Sequence, residues 1–255
     1  PTAQVAIAAR LDTLAPSAHA PRLRLVRILI AMASSDAATT VAAHIDEVAG
    51  ADLAAAIALI GQRSPDGALA VARLAATGSD ETAAAALTWL GGLGSRGGPA
   101  LATLLVGETW PLAREAALAR ALSRRSLDEL LAMAAPTRAA YWHALATTAQ
   151  HADAAGQARV LPSLVAALTQ PASYPARAWQ VRGLAAFGDD AALAALARWR
   201  TTAAAGAETI AIATMAASEL ASNPHPAAAT ALRPDTAAAE RGRGGRARGA
   251  GELTG

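Results

Sequence analysis

The stretch RLAATGSDETAAAAL, residues 73–87, contains the pattern that decides the fold. Leu74 is followed by two alanines, then by Gly78 four residues on and Asp80 six residues on. The same pattern, with glycine and an acid at identical offsets from the leucine, recurs in RGLAAFGDDAALAAL, residues 182–196. An apolar block, a glycine and an acid that opens the next block predict two helices joined by a tight turn. Its recurrence predicts a repeat architecture.

Apolar residues recur at helical spacing in blocks along most of the chain. Hydrophobic residues make up 53% of the sequence but aromatic residues only 3%, so alanine and leucine, both strong helix formers, dominate the core. We therefore expect an all-α fold with almost no sheet. The blocks predict seven helix pairs, at 2–14 with 20–34, 38–49 with 51–62, 66–77 with 80–93, 98–106 with 110–123, 126–134 with 137–150, 157–168 with 174–187 and 189–200 with 205–221.

Two stretches resemble the HEAT-like helical repeats, especially the short Ala-rich bacterial type similar to the repeats of phycobilin lyases. They are AAAALTWLGGLGSRGGPALATLL from Ala83 and AWQVRGLAAFGDDAALAALARW from Ala178. The resemblance covers roughly residues 36–221. It implies an α-solenoid of about seven helix pairs whose second helices line a concave groove. Because this family serves very many roles, the resemblance implies an architecture and no particular activity.

The charge of the chain is concentrated at its C-terminal end. Residues 1–232 contain 17 arginines and 17 acids, whereas residues 233–255 contain five arginines and three acids. We predict a solenoid over residues 1–225 and a disordered Arg/Gly/Ala-rich tail over 226–255, since the tail lacks apolar periodicity. A neutral body argues against a strong phosphate-binding surface outside the tail.

Several enzyme classes lack the residues that they need. The chain has no cysteine, and all 22 basic residues are arginine, which excludes thiolate chemistry, a P-loop lysine and Schiff-base chemistry. The five histidines lack metal-ligand spacing, and no serine lies in a G-x-S-x-G elbow. We therefore expect no enzyme activity, no cofactor and no metal. Without a visible signal peptide or membrane span, we expect a soluble, cytoplasmic protein, and the Ala- and Arg-rich composition suggests a bacterial source.

Gly92, Gly94 and Gly97 have the G-x-G-x-x-G spacing of a dinucleotide-binding loop. That loop must follow a parallel strand, but the preceding ETAAAALTWL is typical of a helix. We therefore interpret the glycines as a turn between two helices, with a left-handed helix cap and a close crossing. Adjacent acids such as Asp80-Glu81 and Asp128-Glu129 are interpreted as helix caps, because they open predicted helices.

Arginine and tryptophan provide the candidate binding residues. Arginines near the openings of second helices could form a stripe on the groove together with Arg182, or a ladder in which each arginine binds acids or carbonyls of neighbouring turns. These arginines are Arg22, Arg114, Arg138 and Arg177. We favour the ladder, because the neutral body has an acid for every arginine. Tryptophans on second helices could fill the core or act as interface anchors. The candidate partner-binding residues are Trp110, Arg114, Trp142, Arg177, Trp179 and Arg182.

Three functional hypotheses follow, of which the first is preferred. It is a non-catalytic scaffold or adaptor that binds another protein along the concave groove, within a larger multi-subunit assembly and away from membranes. The second is nucleic-acid binding, either weakly through the RGRGGRAR tail or in the manner of HEAT-like DNA glycosylases, with Trp110 as the aromatic residue. The third, a lyase or isomerase subunit that acts on a pigment, is implied by the family resemblance alone.

Overall fold

The computed structural model describes residues 3–107, 110–133, 137–187, 189–203 and 206–222. Within these ranges the chain forms helices and turns, with no strand. The predicted all-α class is therefore confirmed. The predicted tail, 226–255, lies outside the described residues. None of the described helices is both long enough and apolar enough to cross a membrane.

The chain divides into two compact units, Pro1–His151 and Ala152–Gly255. The described part of the N-terminal unit contains ten α-helices. They are α1 Ala3–Thr13, α2 His19–Met32, α3 Ser35–Ala43, α4 Gly50–Arg63, α5 Ala68–Thr77, α6 Asp80–Gly92, α7 Gly98–Thr103, α8 Leu112–Leu122, α9 Leu127–Leu131 and α10 Ala139–Gln150. Short 3-10 turns, Ile45–Glu47 and Gly94–Gly97, precede α4 and α7.

Helices of the N-terminal unit pack mainly against their neighbours in sequence. Each odd-numbered helix contacts the even-numbered helix that follows it. The even-numbered helices also form a layer, in which α2 contacts α4, α4 contacts α6, α6 contacts α8 and α8 contacts α10. Each helix thus packs against helices that are near it in the sequence, so the core of this unit consists of contacts between successive helix pairs.

Small residues allow the helices of this layer to approach closely. A Cβ added to Gly91 in α6 would lie 3.2 Å from the Cα atom of Ala121 in α8. The ring of Trp89 lies over Gly61 of α4, where an added Cβ would overlap the indole. Leucines such as Leu87, Leu118 and Leu145 are fully buried between these backbones. Tight packing of alanine and leucine thus replaces the large aromatic residues that the sequence lacks.

The described part of the C-terminal unit contains four α-helices. They are α11 Ala154–Ala167, α12 Tyr174–Phe187, α13 Asp190–Thr202 and α14 Ala207–Ser222. Helix α12 contacts α11, α13 and α14, so it is the central helix of the unit. Its Leu184 and the Leu220 side chain of α14 are fully buried.

The glycine-rich loop joins two helices, as predicted. Gly92 ends α6, so the loop follows a helix and not a strand. Gly94 has φ +58°, which is the left-handed conformation that glycine adopts without strain. Gly97 is buried and passes close to the end of α6. A Cβ added to it would lie 2.3 Å from the carbonyl oxygen of Leu90. The geometry of a dinucleotide-binding loop, which needs a preceding strand, is therefore absent from this described segment.

Acidic pairs lie at helix starts, as the sequence indicated. Asp80 and Glu81 are in the first turn of α6, behind the N-cap Ser79. Asp128 and Glu129 open α9, where Glu129 completes a capping box with Ser126. Glu129 accepts from the backbone N–H of Ser126, whereas Glu81 accepts from the backbone N–H of Gly50 at the start of α4. The cap of α6 itself is the Ser79 hydroxyl, which accepts from the backbone N–H of Thr82.

Several predicted helix boundaries are wrong by two residues or more, and two of them have an identifiable cause. Trp110 was expected inside a second helix, but α8 begins at Leu112. Pro111 is its N-cap residue, and a residue before proline is disfavoured in the helical conformation. The helix predicted over 38–49 ends at Ala43 and is followed by the 3-10 turn, because His44 leaves helical geometry at φ −117° and ψ 21°.

Candidate binding sites

Arginines near the second-helix openings bind carbonyl groups and acids of neighbouring turns. In α2, the Nη1 atom of Arg22 donates to the carbonyl oxygens of Leu11 and Leu14, at 2.8 and 2.7 Å. Its Nε and Nη2 atoms donate to the two carboxylate oxygens of Glu47. His44 also contacts Glu47, with 2.8 Å between Nδ1 and Oε1. The ladder hypothesis therefore describes Arg22 correctly.

Arg114, in the first turn of α8, binds the turn between α5 and α6 in the same way. Its Nη1 and Nη2 atoms donate to the carbonyl oxygens of Ala76 and Gly78, at 3.2 and 3.0 Å. Nη2 also lies 2.8 Å from Oδ1 of Asp80. These carbonyls lie at the end of α5, where the helix dipole is negative, so the guanidinium neutralises that end. Arg114 thus links one helix pair to the next.

The Trp110 site combines an aromatic ring with two guanidinium groups. The Cζ atom of Arg138 lies 4.2 Å from the centroid of the Trp110 ring, and that of Arg114 lies 5.7 Å away. Both distances fall within the range of cation–π attraction. The ring, which is partly buried, is therefore held in one orientation by charges on α8 and at the start of α10.

The carboxylate of Glu115 connects the groups of the Trp110 site by hydrogen bonds. Its Oε1 atom accepts hydrogen bonds from Nη1 of Arg138 at 2.7 Å and from the backbone N–H of Trp110 at 3.1 Å. Its Oε2 atom accepts from the backbone N–H of Ala140 at 3.2 Å. The side chains of Arg138 and Glu115 are only 4% and 7% exposed. This buried ion pair fixes both the backbone and the ring of Trp110.

Two exposed aliphatic residues flank Trp110 in the sequence. Val106 is 80% exposed and Leu112 is 81% exposed, the highest values among the large hydrophobic residues described. Next to Val106, Gly107 has φ +106°, which turns the chain at this point. Exposed apolar side chains close in sequence to a fixed tryptophan have the composition of a protein-interaction surface.

Trp142 lies in the core. It is 5% exposed in α10, and its ring makes an edge contact with Tyr141, with 5.0 Å between centroids. Burial raises the pKa of Tyr141 to about 12, and its hydroxyl donates to the carbonyl oxygen of Leu130. Trp142 therefore fills the core, which is the first of the two alternatives that the sequence left open for the tryptophans, and it is not an exposed anchor.

The remaining candidates belong to the C-terminal unit and lie at two places on α12. Arg177 binds the end of α11, with Nη1 2.9 Å from the carbonyl oxygen of Ala167. Trp179 stacks with Arg182, whose Cζ atom lies 5.2 Å from the ring centroid. The Nε atom of Arg182 lies 3.4 Å from Oε2 of Glu219 in α14. Arg177 lines a cleft, whereas Trp179 and Arg182 do not.

Sequence reasoning missed Glu115 as a site residue, and it also missed Tyr174, Arg198 and Trp199 of the cleft. Glu115 could have been found from its place in the first helical turn after Trp-Pro, where a carboxylate has free N–H groups to bind. The cleft residues had no signal, because α11 to α14 all contribute to it. Across the described ranges, no group of three His, Asp or Glu side chains is arranged to hold a metal ion.

Comparison with known proteins gave no match to a family model, a curated protein or a solved structure.

Proposed function

We propose that the chain is a HEAT-like α-solenoid that acts as a non-catalytic scaffold or adaptor in the cytoplasm. It binds another protein along the groove lined by its second helices, as a subunit of a larger assembly. The layer formed by α2, α4, α6, α8 and α10 in the N-terminal unit supports this proposal, because stacked second helices create an extended surface. Such a surface suits an elongated partner.

The Trp110 site is the observation on which the proposal rests. Interface hot spots are rich in tryptophan and arginine, and rigid anchors lose little conformational entropy on binding. Here Glu115 and Arg138 fix Trp110 before any partner arrives. Leu112 and Val106 add exposed apolar area on either side in the sequence. We therefore place the main anchor of the partner at Trp110 and Leu112.

The distribution of charge favours a protein partner over nucleic acid. Arg22, Arg114 and Arg138 each pair with a carboxylate, so their charges are already neutralised within the fold. A nucleic-acid surface needs cations that are free to replace counterions along the phosphates. Attachment through the tail remains the alternative, and it concerns residues outside those described.

Photo-cross-linking in the full-length chain tests the proposal. A photoreactive phenylalanine analogue at Leu112 is expected to give a discrete adduct with one protein in the native host. Asp36, exposed in the first turn of α3, provides the matched control position. Trp110→Ala combined with the analogue at Leu112 is expected to abolish the adduct, because the anchor is lost.

Two outcomes would contradict the scaffold function. One is the same set of adducts from positions 112 and 36, which would indicate random collisions. The other is an adduct at 112 that Trp110→Ala leaves unchanged, which would separate the contact from the anchor. Circular dichroism of each variant is the check that the helices are retained.

A further inference from the structure

A cleft of about 610 Å³ lies within the C-terminal unit. It forms where the carboxyl ends of α11 and α13 meet the amino ends of α12 and α14. Its apolar lining includes Val165, Leu168 and Ile212, together with the edge of the nearly buried Trp199. The volume falls within the range of roughly 300 to 1,000 Å³ that is usual for small-molecule sites.

The polar lining of this cleft carries an excess of positive charge. Arg177, Arg198 and Glu208 line it, together with Tyr174, which is 43% exposed. Among the described residues neither Arg198 nor Glu208 forms an ion pair. Glu208 lies in the first turn of α14, where the helix dipole already stabilises its charge. Two guanidinium groups and one carboxylate leave a net charge of one unit positive.

Arg177 differs from Arg22 in that no carboxylate binds it in the described part of the chain. Both bind two carbonyl groups at the end of the helix before them, which for Arg177 are those of Ala167 and Gln170. Arg22 then binds the carboxylate of Glu47 with two nitrogens. Arg177 has only the neutral amide of Gln180 as its further partner, and no carboxylate pairs with it in the described part of the chain. Arg177 therefore lines the cleft without an ion-pair partner among the described residues.

We propose that this cleft binds a small organic monocarboxylate with an apolar body the size of one or two rings. Arg198 binds the carboxylate directly, and Arg177 adds positive potential. The apolar body packs against Val165, Leu168 and Trp199, which line the cleft together with Tyr174. A monoanion is favoured over a phosphate dianion, because the net charge is one unit and Glu208 would repel a second negative charge.

Isothermal titration calorimetry on the full-length protein tests this proposal with 2-naphthoate as the probe. The uncharged analogue 2-naphthalenemethanol has the same ring body and no carboxylate. We expect naphthoate to bind and the alcohol to bind roughly tenfold more weakly or worse, since a charge-assisted hydrogen bond is lost. Absence of naphthoate binding at millimolar concentration, or equal binding of the alcohol, would overturn the proposal.

Variants on α13 locate the binding in this cleft. Arg198→Gln is expected to weaken naphthoate binding by roughly tenfold, because the direct ion pair is lost. Arg200→Gln is the matched control, since Arg200 is on the same helix, carries the same charge and does not line the cleft. Equal weakening by both variants would indicate a general charge effect, and no weakening by Arg198→Gln would exclude the site. Arg177 is left intact in this test because its carbonyl contacts hold the end of α11.

Discussion

At the scale of single residues, arginine acts as a cross-link between turns. Each of Arg22, Arg114 and Arg177 reaches two carbonyl groups at the end of another helix. A guanidinium has five donors in a fixed plane, so it can satisfy these carbonyls and a carboxylate together, which an ammonium group does less well. The absence of lysine from the sequence agrees with this structural use of arginine.

Removal of the Glu115 carboxylate is expected to destabilise the N-terminal unit strongly. Glu115→Ala would leave Arg138 buried without its counterion, and the Nε atom of Arg138 already lacks a partner among the described residues. Breaking a buried ion pair on one side costs about 3–5 kcal/mol, which urea unfolding would measure. Asp66→Ala is the control, since its ion pair with Arg73 is exposed and such pairs contribute about 0–1 kcal/mol. Similar losses in both variants would contradict the assigned role of Glu115.

Acid is expected to remove the stabilisation that Glu47 provides. The hydrogen bond from Arg22 holds the pKa of Glu47 at about 2, below its usual value of 4.5, with a further contribution from His44. Because the folded pKa is the lower one, the stabilisation is complete above pH 4.5 and is lost as the pH falls towards 2. The difference in urea midpoint between the wild type and Glu47→Gln should therefore shrink over that interval.

The neighbouring Asp46 provides the control for this pH experiment. Asp46→Asn also removes one acidic charge from the 3-10 turn, but Asp46 forms no ion pair in the described structure. We expect its difference from the wild type to stay small at every pH. A Glu47→Gln difference that does not change between pH 6 and pH 2 would show that the Arg22 contact contributes nothing to stability.

At the scale of secondary-structure elements, three glycines of one motif serve three different purposes. Gly92 lies in the last turn of α6 with open space around it, and Gly94 needs its positive φ. Gly97 allows the chain to pass against the end of α6. The spacing that resembles a phosphate-binding fingerprint therefore arises because each glycine has its own, unrelated structural role.

Alanine substitutions are expected to separate these purposes. Gly92→Ala should raise the free energy of unfolding by about 0.5–1 kcal/mol, because alanine favours the helix and meets no neighbouring atom. Gly94→Ala should lower it by about 1–2 kcal/mol through left-handed strain. Gly97→Ala should lower it further, because its Cβ would overlap the Leu90 carbonyl. Equal effects at all three positions, measured by urea unfolding, would contradict these local explanations.

The positions of the helices could be predicted from the sequence, whereas some of their ends could not. Apolar periodicity located all fourteen described helices, because each buries one face against its neighbours. Helix α3 ends at Ala43, and Glu47 in the turn that follows it is bound by Arg22 from another helix pair. A contact of this kind between distant residues leaves no mark in the local pattern.

At the scale of the whole molecule, the residue types of the candidate site could be predicted from the sequence, whereas their contacts and their burial could not. The sequence singled out Trp110 and Arg114, yet the residue that holds Trp110 in place is Glu115, which also binds Arg138 from 23 positions away. Trp142 has the same residue type and helix class as the other candidates and is nevertheless buried. Exposure depends on which face of α10 meets α8, and that is decided by packing in three dimensions.

The neutral body and the cationic tail predict where any nucleic-acid affinity of this chain resides. Replacing Arg241, Arg243, Arg246 and Arg248 by glutamine in the full-length chain should abolish binding to single-stranded DNA. In the wild type, these four arginines would contribute about −3 to the slope of log K against log salt, at roughly 0.7 counterions released per phosphate contact. Fluorescence anisotropy at several salt concentrations would measure both quantities. Binding that survives the four substitutions with its slope unchanged would place the cations on the helical body, and it would favour a nucleic-acid function over the protein scaffold.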